Sequence, residues 1–150
     1  MNKISEFKGE YSWLSNFWYV DIKDPVLVNA VYPTSEHAFQ AMKTTQLIQR
    51  NLFLVPTSMT PGQAKRMGRK VSIRDNWEDI KLSVMHTLLE IKFSDPELRQ
   101  KLLDTGNMVI EEGNWWGDKF WGICLKTGEG LNHLGKILMT IREEIRNEQQ

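Results

Sequence analysis

The chain has 150 residues, of which 41% are hydrophobic and 25% charged, and its 19 basic residues balance its 19 acidic ones. This composition excludes a disordered chain, and the length suits a single domain over residues 1–150. No apolar run approaches the roughly 20 residues of a membrane-spanning helix, and residues 1–13 lack the apolar segment of a signal peptide. We therefore expect no membrane association. The single cysteine, Cys124, allows no internal disulfide, which favours a reducing, cytoplasmic location.

The first elements along the chain are predicted to be β-strands. Aromatic and β-branched residues over 18–22 predict one strand, and those over 26–31 predict a second. Asp24 and Pro25 between them are typical turn residues. The two strands are therefore expected to pair as a hairpin.

Helical signals dominate from Thr34 onward. Thr34 is a favourable N-cap, and Glu36 in the first turn suits the positive end of the helix dipole. A second N-cap pattern at Thr60, closed by Gly68, predicts a short helix over 61–67.

The second half of the chain continues the helical pattern. Asp75 resembles the first residue of a capping box, before a helix that extends to Phe93. Asp95 is predicted to cap a further helix, residues 108–110 are expected to form a brief strand, and an apolar stripe over 131–147 predicts the last helix. We therefore predict a mainly α (α+β) fold, a single-domain helical bundle with a small antiparallel β-hairpin.

Segment 32–43 carries polar residues on one predicted helix face. At 100° per residue, Glu36, Gln40 and Lys43 lie within about 60° of one another. A carboxylate, an amide and an amine in one row can position a polar substrate, and a buried Glu–Lys pair couples the titration of both groups. On spacing alone, the commoner alternative is a surface stripe with a weak ion pair.

Segment 114–122 is unusually aromatic, with three Trp and one Phe beside two Gly and Asp118. Such a segment either fills the edge of a core or lines a pocket that stacks flat groups such as nucleobases. Asp118 is a candidate general base, nucleophile or ligand of sugar hydroxyls. Near the N-terminus, Phe17 adds to the aromatic supply, beside the polar Asn16.

Basic side chains are concentrated in residues 65–74, where no acidic residue occurs. A neutral chain has no long-range attraction to nucleic acid, but this local patch can hold one or two phosphates. The alternative is a solvated helix face. The three histidines show no metal-ligand spacing and the HExxH pattern is absent, so we expect no metal and no other cofactor.

Six segments, in order from residue 14 to the last helix, resemble the NADAR family and, within it, the YbiA-like N-glycosidases. The second and the last are the most specific. The segments are Leu-Ser-Asn-Phe (14–17), Tyr-Pro-Thr-Ser-Glu-His-Ala-Phe-Gln-Ala-Met-Lys (32–43), Met-Gly-Arg-Lys-Val (67–71), Ile-Arg-Asp-Asn-Trp (73–77), Trp-Gly-Asp (116–118) and Gly-Leu-Asn-His-Leu-Gly-Lys-Ile-Leu-Met (130–139).

This resemblance implies a mainly α fold with a small β part, and metal-independent hydrolysis of an N-glycosidic bond to ribose. YbiA-like members are associated with breaking down reactive early intermediates of riboflavin synthesis, which releases ribose 5-phosphate. Other NADAR members are associated with ADP-ribose, including its removal from guanine in DNA. Family members are usually Gly-rich after the segment matching 116–118, whereas this chain has Lys-Phe-Trp-Gly, so we expect a different pocket shape.

Within this reading, Glu36 handles the proton or the developing positive charge of an oxocarbenium-like state, with Lys43 close by. Lys43 is alternatively an imine-forming nucleophile at C1 of the sugar, which requires burial to depress its pKa. Asp118 is the second carboxylate and binds sugar hydroxyls or water. The other predicted substrate contacts are Arg69 and Arg74 on the phosphate, Trp116 and Trp121 on the base, and Asn16, Phe17, Gln40 and Asn132 on polar or flat groups.

The predicted partner is thus a small ribosyl or phosphoribosyl substrate. The sequence does not specify whether the chain is a monomer or an oligomer. One alternative is an ADP-ribosyl glycohydrolase acting on ADP-ribosylated nucleic acid or protein, with the same pocket chemistry. Another is a non-catalytic module that binds ADP-ribose or NAD. The last is a structural domain in which Glu36 and Lys43 form an exposed pair and the Trp-rich segment belongs to the core.

Overall fold

The computed structural model describes residues 2–149, and the chain divides into two units. Unit 1 comprises residues 1–15 and 93–150, and unit 2 comprises residues 16–92. A 3-10 helix covers Gly9–Leu14. In chain order the strands are β1 (Lys3–Ile4), β2 (Tyr19–Lys23), β3 (Val31–Thr34), β4 (Val109–Ile110), β5 (Gly113–Asn114) and β6 (Ile123–Cys124). The helices are α1 (Ser35–Ala41), α2 (Leu47–Asn51), α3 (Pro61–Met67), α4 (Trp77–Lys92), α5 (Pro96–Asp104) and α6 (His133–Glu148).

Unit 2 begins with the antiparallel pair β2–β3, which confirms the predicted hairpin. The prediction that its second strand covers 26–31 is wrong, because β3 begins at Val31 and Val26 is 80% exposed in the preceding turn. The Asp24 side chain causes this: its Oδ1 accepts hydrogen bonds from the backbone N–H groups of Val26 (2.9 Å) and Leu27 (2.8 Å). A local side-chain acceptor thus replaces a strand partner.

The helices of unit 2 pack around α1, which contacts β3, α3 and α4. Helix α3 has the predicted bounds and begins with a complete capping box between Thr60 and Gln63. Helix α4 was predicted to be capped by Asp75. The Ile80 N–H instead donates to the carbonyl of Asn76, so the cap lies one residue later and the helix begins at Trp77.

Unit 1 contains two short parallel pairs, β1–β4 and β5–β6, and α6 packs against α5 and β4. Asp95 caps α5 as predicted, accepting a hydrogen bond from the Leu98 N–H at 3.0 Å. Helix α6 begins at His133, two residues later than predicted. Four members of its predicted apolar stripe are buried, namely Leu134, Leu138, Ile141 and Ile145.

Helical residues outnumber strand residues in both units and the strands are short, which confirms the predicted α+β class with a small antiparallel hairpin. That residues 1–150 form a single domain stays a prediction. Across residues 2–149, none of the helices combines the length and apolar character that crossing a bilayer requires.

Candidate active site

Helix α1 is buried along its entire length, although four of its seven residues are polar. Thr34 caps it as predicted: its Oγ1 accepts a hydrogen bond from the His37 N–H at 3.1 Å. The His37 ring is held between Thr34 Oγ1, 2.7 Å from Nδ1, and the Met59 carbonyl, 2.8 Å from Nε2. Burial lowers the pKa of His37. The imidazole is therefore a neutral, structural part of the helix start.

Asn16 ties the start of α1 to the preceding segment. Its carbonyl accepts a hydrogen bond from the Glu36 N–H at 3.0 Å, and its side-chain Oδ1 accepts one from the Ser35 hydroxyl at 2.8 Å. Its amide nitrogen lies 3.6 Å from the sulfur of Met85. Asn16 thus positions the backbone of Glu36, while its predicted contact with substrate stays a prediction.

Glu36 and Gln40 face each other one turn apart on α1, as their spacing predicted. The Gln40 amide Nε2 donates to Glu36 Oε2 at 2.5 Å, and both side chains are buried, at 8% and 4% exposure. The alternative of an exposed surface stripe is therefore wrong for these two residues. Among residues 2–149, Gln40 Oε1 is buried and accepts no hydrogen bond.

Lys43 lies in the turn after α1, because the helix ends at Ala41. The predicted helical row therefore extends too far, and the Lys43 N–H bonds to the Gln40 carbonyl at 3.2 Å. The half-buried amine is still within electrostatic reach of Glu36. Burial lowers the pKa of Lys43 and is the largest influence on it, whereas the Glu36 carboxylate raises that pKa.

Three cations lie within electrostatic reach of Lys43 and lower its pKa further: Arg69, Lys81 and Lys65. Only Arg69 was singled out as a site residue from the sequence. Lys65 on α3 belongs to the basic segment 65–74. No sequence motif identifies Lys81, because it lies on α4, which is distant in sequence from Lys43. Its Nζ also donates to Glu78 Oε1 at 2.6 Å.

The other predicted contacts of unit 2 lie at its surface. Arg69 is exposed, and Phe17 is 43% exposed. Arg74 is half-buried; its N–H donates to the Lys43 carbonyl at 2.8 Å, and its Nε donates to Asn76 Oδ1 at 2.9 Å. An open cavity of about 430 Å³ is lined by Thr45, Gln46, Ser72, Ile73, Arg74, Asp75 and Asn76.

In unit 1, Asp118 belongs to a turn built around the buried Asn114. The Asn114 side chain accepts a hydrogen bond from the Asp118 N–H at 2.9 Å and donates to its carbonyl at 2.8 Å. Asp118 Oδ1 accepts hydrogen bonds from the N–H groups of Phe120 and Trp121 at 3.0 and 2.9 Å. The Oδ1 oxygen of Asp118 therefore stabilises the turn.

The two predicted stacking residues differ in their surroundings. Trp116 is 62% exposed, whereas Trp121 packs edge-on against Phe120 with ring centres 4.9 Å apart. Asn132 is buried in a left-handed conformation; its Nδ2 donates to the Ile110 carbonyl at 2.9 Å, and its Oδ1 accepts from the Glu112 N–H at 3.0 Å. The Asn132 amide thus braces the backbone ahead of α6.

The predicted residues therefore fall into two sets. In unit 2, Asn16, Glu36 and Gln40 are in direct contact, and Lys43 and Arg69 are within electrostatic reach. This set offers a fixed carboxylate and an amine of lowered pKa, which together can transfer protons. Unit 1 holds Asp118, Trp116, Trp121 and Asn132.

The family model of the NADAR domain matches residues 4–146. The chain belongs to the NADAR family. This NADAR chain is 38% identical over 120 residues to the protein named N-glycosidase Npun_R5314 of Nostoc punctiforme, an alignment covering 77% of this chain and 76% of that protein. It is 37% identical over 139 residues to N-glycosidase YbiA of Escherichia coli, covering 91% and 82%. The resemblance inferred from the six segments is thus confirmed.

Two further likenesses bear on fold and context. The NMR structure of E. coli YbiA matches this NADAR chain with a TM-score of 0.83 at 36% identity, covering 99% of this chain and 89% of that one. The Zea mays protein named riboflavin biosynthesis protein PYRR, chloroplastic, is 35% identical over 129 residues. The aligned part is 76% of this chain but 20% of the maize protein.

Proposed function

We propose that this chain is an enzyme that hydrolyses the N-glycosidic bond of a ribosylated, phosphorylated nucleoside-like metabolite and releases ribose 5-phosphate. The observation that supports this most directly is the buried Glu36 carboxylate, held by the Gln40 amide and within electrostatic reach of Lys43. Two relatives carry the name N-glycosidase. A third is named for riboflavin biosynthesis, which favours an early intermediate of that pathway as substrate.

Glu36 is suited to the central step of this reaction. Breaking the bond between C1 of ribose and nitrogen leaves C1 with positive charge, and a nearby carboxylate stabilises that charge. A proton must also reach the departing nitrogen, and a water must give its hydroxyl to C1. We assign Glu36 to the charge or to one of these proton transfers, since the Gln40 amide fixes the orientation of its carboxylate.

Lys43 has two possible roles that predict different intermediates. As a neighbour, it tunes Glu36 and shares its protons. As a nucleophile, its neutral amine attacks C1 and the nitrogen base leaves with a proton. The bond between C1 and the ring oxygen then breaks, the ring oxygen takes a proton, and water hydrolyses the resulting imine to ribose 5-phosphate and the free amine. The lowered pKa of Lys43 supports the second role, because only the unprotonated amine attacks. Borohydride reduction of that imine during turnover then leaves a 1-deoxyribityl 5-phosphate group on Lys43 Nζ.

The remaining predicted contacts complete this assignment. The cations around Lys43, together with Arg74, supply positive charge for the phosphate. In unit 1, the roles of Asp118 as a second carboxylate and of the exposed Trp116 ring as a stacking surface for the base stay predictions from the sequence. A cytoplasmic location is part of the proposal, in keeping with the single thiol of Cys124.

The test is the rate of ribose 5-phosphate release from an aminouracil ribotide by purified Glu36→Gln and Lys43→Ala. Each substitution is expected to lower kcat by roughly 10²-fold or more, because each removes a group that acts on the reacting bond. Glu97 and Lys101 provide matched controls: they are an exposed pair on α5, 3.8 Å apart, so Glu97→Gln and Lys101→Ala should retain full rates. Wild-type rates in folded Glu36→Gln and Lys43→Ala would remove the assignment.

A second candidate function is removal of ADP-ribose from modified nucleic acid or protein. The observation that favours it is the number of cations near Lys43, since Arg69, Lys81 and Lys65 offer more positive charge than one phosphate needs. Comparing kcat/KM on the ribotide with that on ADP-ribosylated guanosine distinguishes the two. Tight ADP-ribose binding in calorimetry without any hydrolysis would instead indicate a binding module.

A further inference from the structure

The backbone conformation of Gly68, the residue that ends α3, does not require a glycine. Its φ of −59° and ψ of −19° are ordinary right-handed helical values that any residue adopts. Helices that need glycine at their end need it for a left-handed conformation, which is absent here. Another physical reason must therefore apply at this position.

That reason is the close approach of Gln40. A Cβ atom at position 68 would lie 1.8 Å from Gln40 Oε1, 2.6 Å from its Cδ and 3.2 Å from its Cγ. Real Cβ atoms do not approach other heavy atoms so closely, so a side chain at 68 must displace the amide group. Gly62, on the same helix, shows the contrast: its Cβ would have one neighbour, Arg66 Nη1, at 4.0 Å.

The displaced amide is the one that holds Glu36. Gln40 Nε2 donates to Glu36 Oε2 at 2.5 Å, while the other end of the same amide, Oε1, lies against Gly68. The amide is buried, and its Oε1 accepts no hydrogen bond within residues 2–149, so packing against Gly68 is what limits movement on that side. A rotation about the Cγ–Cδ bond that carries Oε1 away from position 68 also moves Nε2 relative to the carboxylate, because both atoms belong to one planar amide.

We propose that Gly68 is a positioning residue of the active site: its missing side chain leaves the space in which the Gln40 amide lies, and the amide in turn orients the Glu36 carboxylate. The inference rests on the proposed function of Glu36. It extends the site to α3, whose last turn specifies the geometry of a carboxylate on α1.

The test compares Gly68→Ala with the control Gly62→Ala. Gly68→Ala is expected to lower kcat on the ribotide by about 10- to 100-fold, the scale of a small misplacement of a catalytic group, with KM nearly unchanged. The limb of the pH–rate profile that reports Glu36 moves to higher pH, because the carboxylate loses a donor. Gly62→Ala should match the wild type in both. Wild-type kcat and pH profile in Gly68→Ala would overturn the proposal.

A double-mutant cycle with Gln40→Ala separates this role from a general effect on folding. If Gly68 acts through Gln40, adding Gly68→Ala to Gln40→Ala causes no further loss of kcat. If Gly68→Ala alone fails to fold, Gln40→Ala should restore folding, because it removes the clashing atoms. Additive losses, or a double variant that also fails to fold, would overturn the proposal.

A carbon-13 NMR titration of the Glu36 carboxyl group gives a readout independent of turnover. Its midpoint should move to higher pH in Gly68→Ala and stay in place in Gly62→Ala. If the wild type releases no ribose 5-phosphate, the proposed function fails, yet this shift still tests whether Gly68 orients the amide. An unchanged midpoint beside normal wild-type turnover would overturn the positioning role and leave the proposed function standing.

Discussion

Lys43 is a half-buried amine whose protonation is set by opposing influences. Burial favours the neutral amine and Glu36 favours the ammonium, while Arg69, Lys81 and Lys65 favour the neutral amine again. Two of these cations come from α3 and α4, so tertiary packing tunes this residue more than its own segment does. The lowered pKa is therefore a property that single substitutions at neighbouring cations can change.

We expect Arg69→Gln to raise the pKa of Lys43 towards its ordinary value, because a cation that opposes protonation is removed. If the neutral amine is the active form, the acidic limb of the kcat/KM profile moves to higher pH. The pH dependence of ribose 5-phosphate release measures this. Arg99→Gln, which breaks the exposed pair of Arg99 with Glu148, is the control and should leave the profile unchanged. If the pH profile of kcat/KM is the same in Arg69→Gln as in the wild type, Lys43 does not titrate in the reaction.

The structural and chemical roles of Asp118 can be separated by two substitutions. In Asp118→Asn, an amide oxygen still accepts the hydrogen bonds from Phe120 and Trp121, so the turn and the stability are retained while the charge is lost. In Asp118→Ala both hydrogen bonds are lost, at a cost of about 1 to 2 kcal/mol in the free energy of unfolding.

Activity then decides between the two roles. If Asp118 is the second carboxylate, Asp118→Asn lowers kcat/KM by roughly 10²-fold at unchanged stability, measured by urea denaturation beside the glycosidase assay. A fully active Asp118→Asn with a destabilised Asp118→Ala would mean that Asp118 only shapes its turn.

At the scale of elements, α1 depends on a buried cap. Thr34 Oγ1 contacts both the backbone N–H and the ring Nδ1 of His37, whereas the corresponding Thr60 on α3 is exposed and caps the backbone alone. Thr34→Ala is expected to lower the free energy of unfolding by about 2 kcal/mol, because a cap is lost and a buried ring nitrogen is left without a partner.

Two other threonine substitutions in this chain serve as controls. Thr60→Ala should cost about 1 kcal/mol, the usual value of an N-cap in contact with solvent, and Thr34→Ser should retain most of the stability because it keeps the hydroxyl. Urea denaturation midpoints measure all three. Equal losses in Thr34→Ala and Thr60→Ala would contradict a separate contribution from the His37 ring.

The caps also show which part of the fold the sequence predicts well. The sequence predicts the starts of α1, α3 and α5 at Thr34, Thr60 and Asp95, because an N-cap is a hydrogen bond between a side chain and a backbone N–H two or three residues later. The strand predicted over 26–31 failed for the same kind of reason: the Asp24 side chain satisfies backbone groups locally and stops strand pairing.

At the scale of the whole molecule, the sequence predicts contacts within a single helix or turn, but it does not predict contacts between elements that are distant in sequence. The Glu36–Gln40 bond follows from a four-residue spacing on a helix. The complete burial of α1, the arrival of Lys81 from α4 and the packing of Gln40 on Gly68 require other elements to be placed first. The family resemblance supplied the roles proposed for the candidate residues, but not the contacts that tune them.

Stability of the whole chain should depend on pH through Lys92, the last residue of α4. Lys92 is completely buried, and burial lowers its pKa from 10.5 to about 7. Between these values the unfolded chain binds a proton that the folded protein does not. The free energy of unfolding therefore rises with pH across this window, by up to about 1.4 kcal/mol per pH unit from this residue. Above pH 10, Tyr32 opposes the rise, because burial and its bond to Asp24 raise the pKa of Tyr32 in the folded protein.

Urea denaturation between about pH 7.5 and 9.5 measures this slope below the range of Tyr32. The wild type should gain stability across that range, and Lys92→Met, which keeps the length of the side chain without its amine, should show a flatter dependence. Lys101→Met removes an exposed amine from α5 and should keep the wild-type slope. His37 acts with the same sign at lower pH: its pKa is lowered, so stability falls as pH falls below about 6.5. Equal slopes for the wild type and Lys92→Met would show that Lys92 keeps its proton on folding.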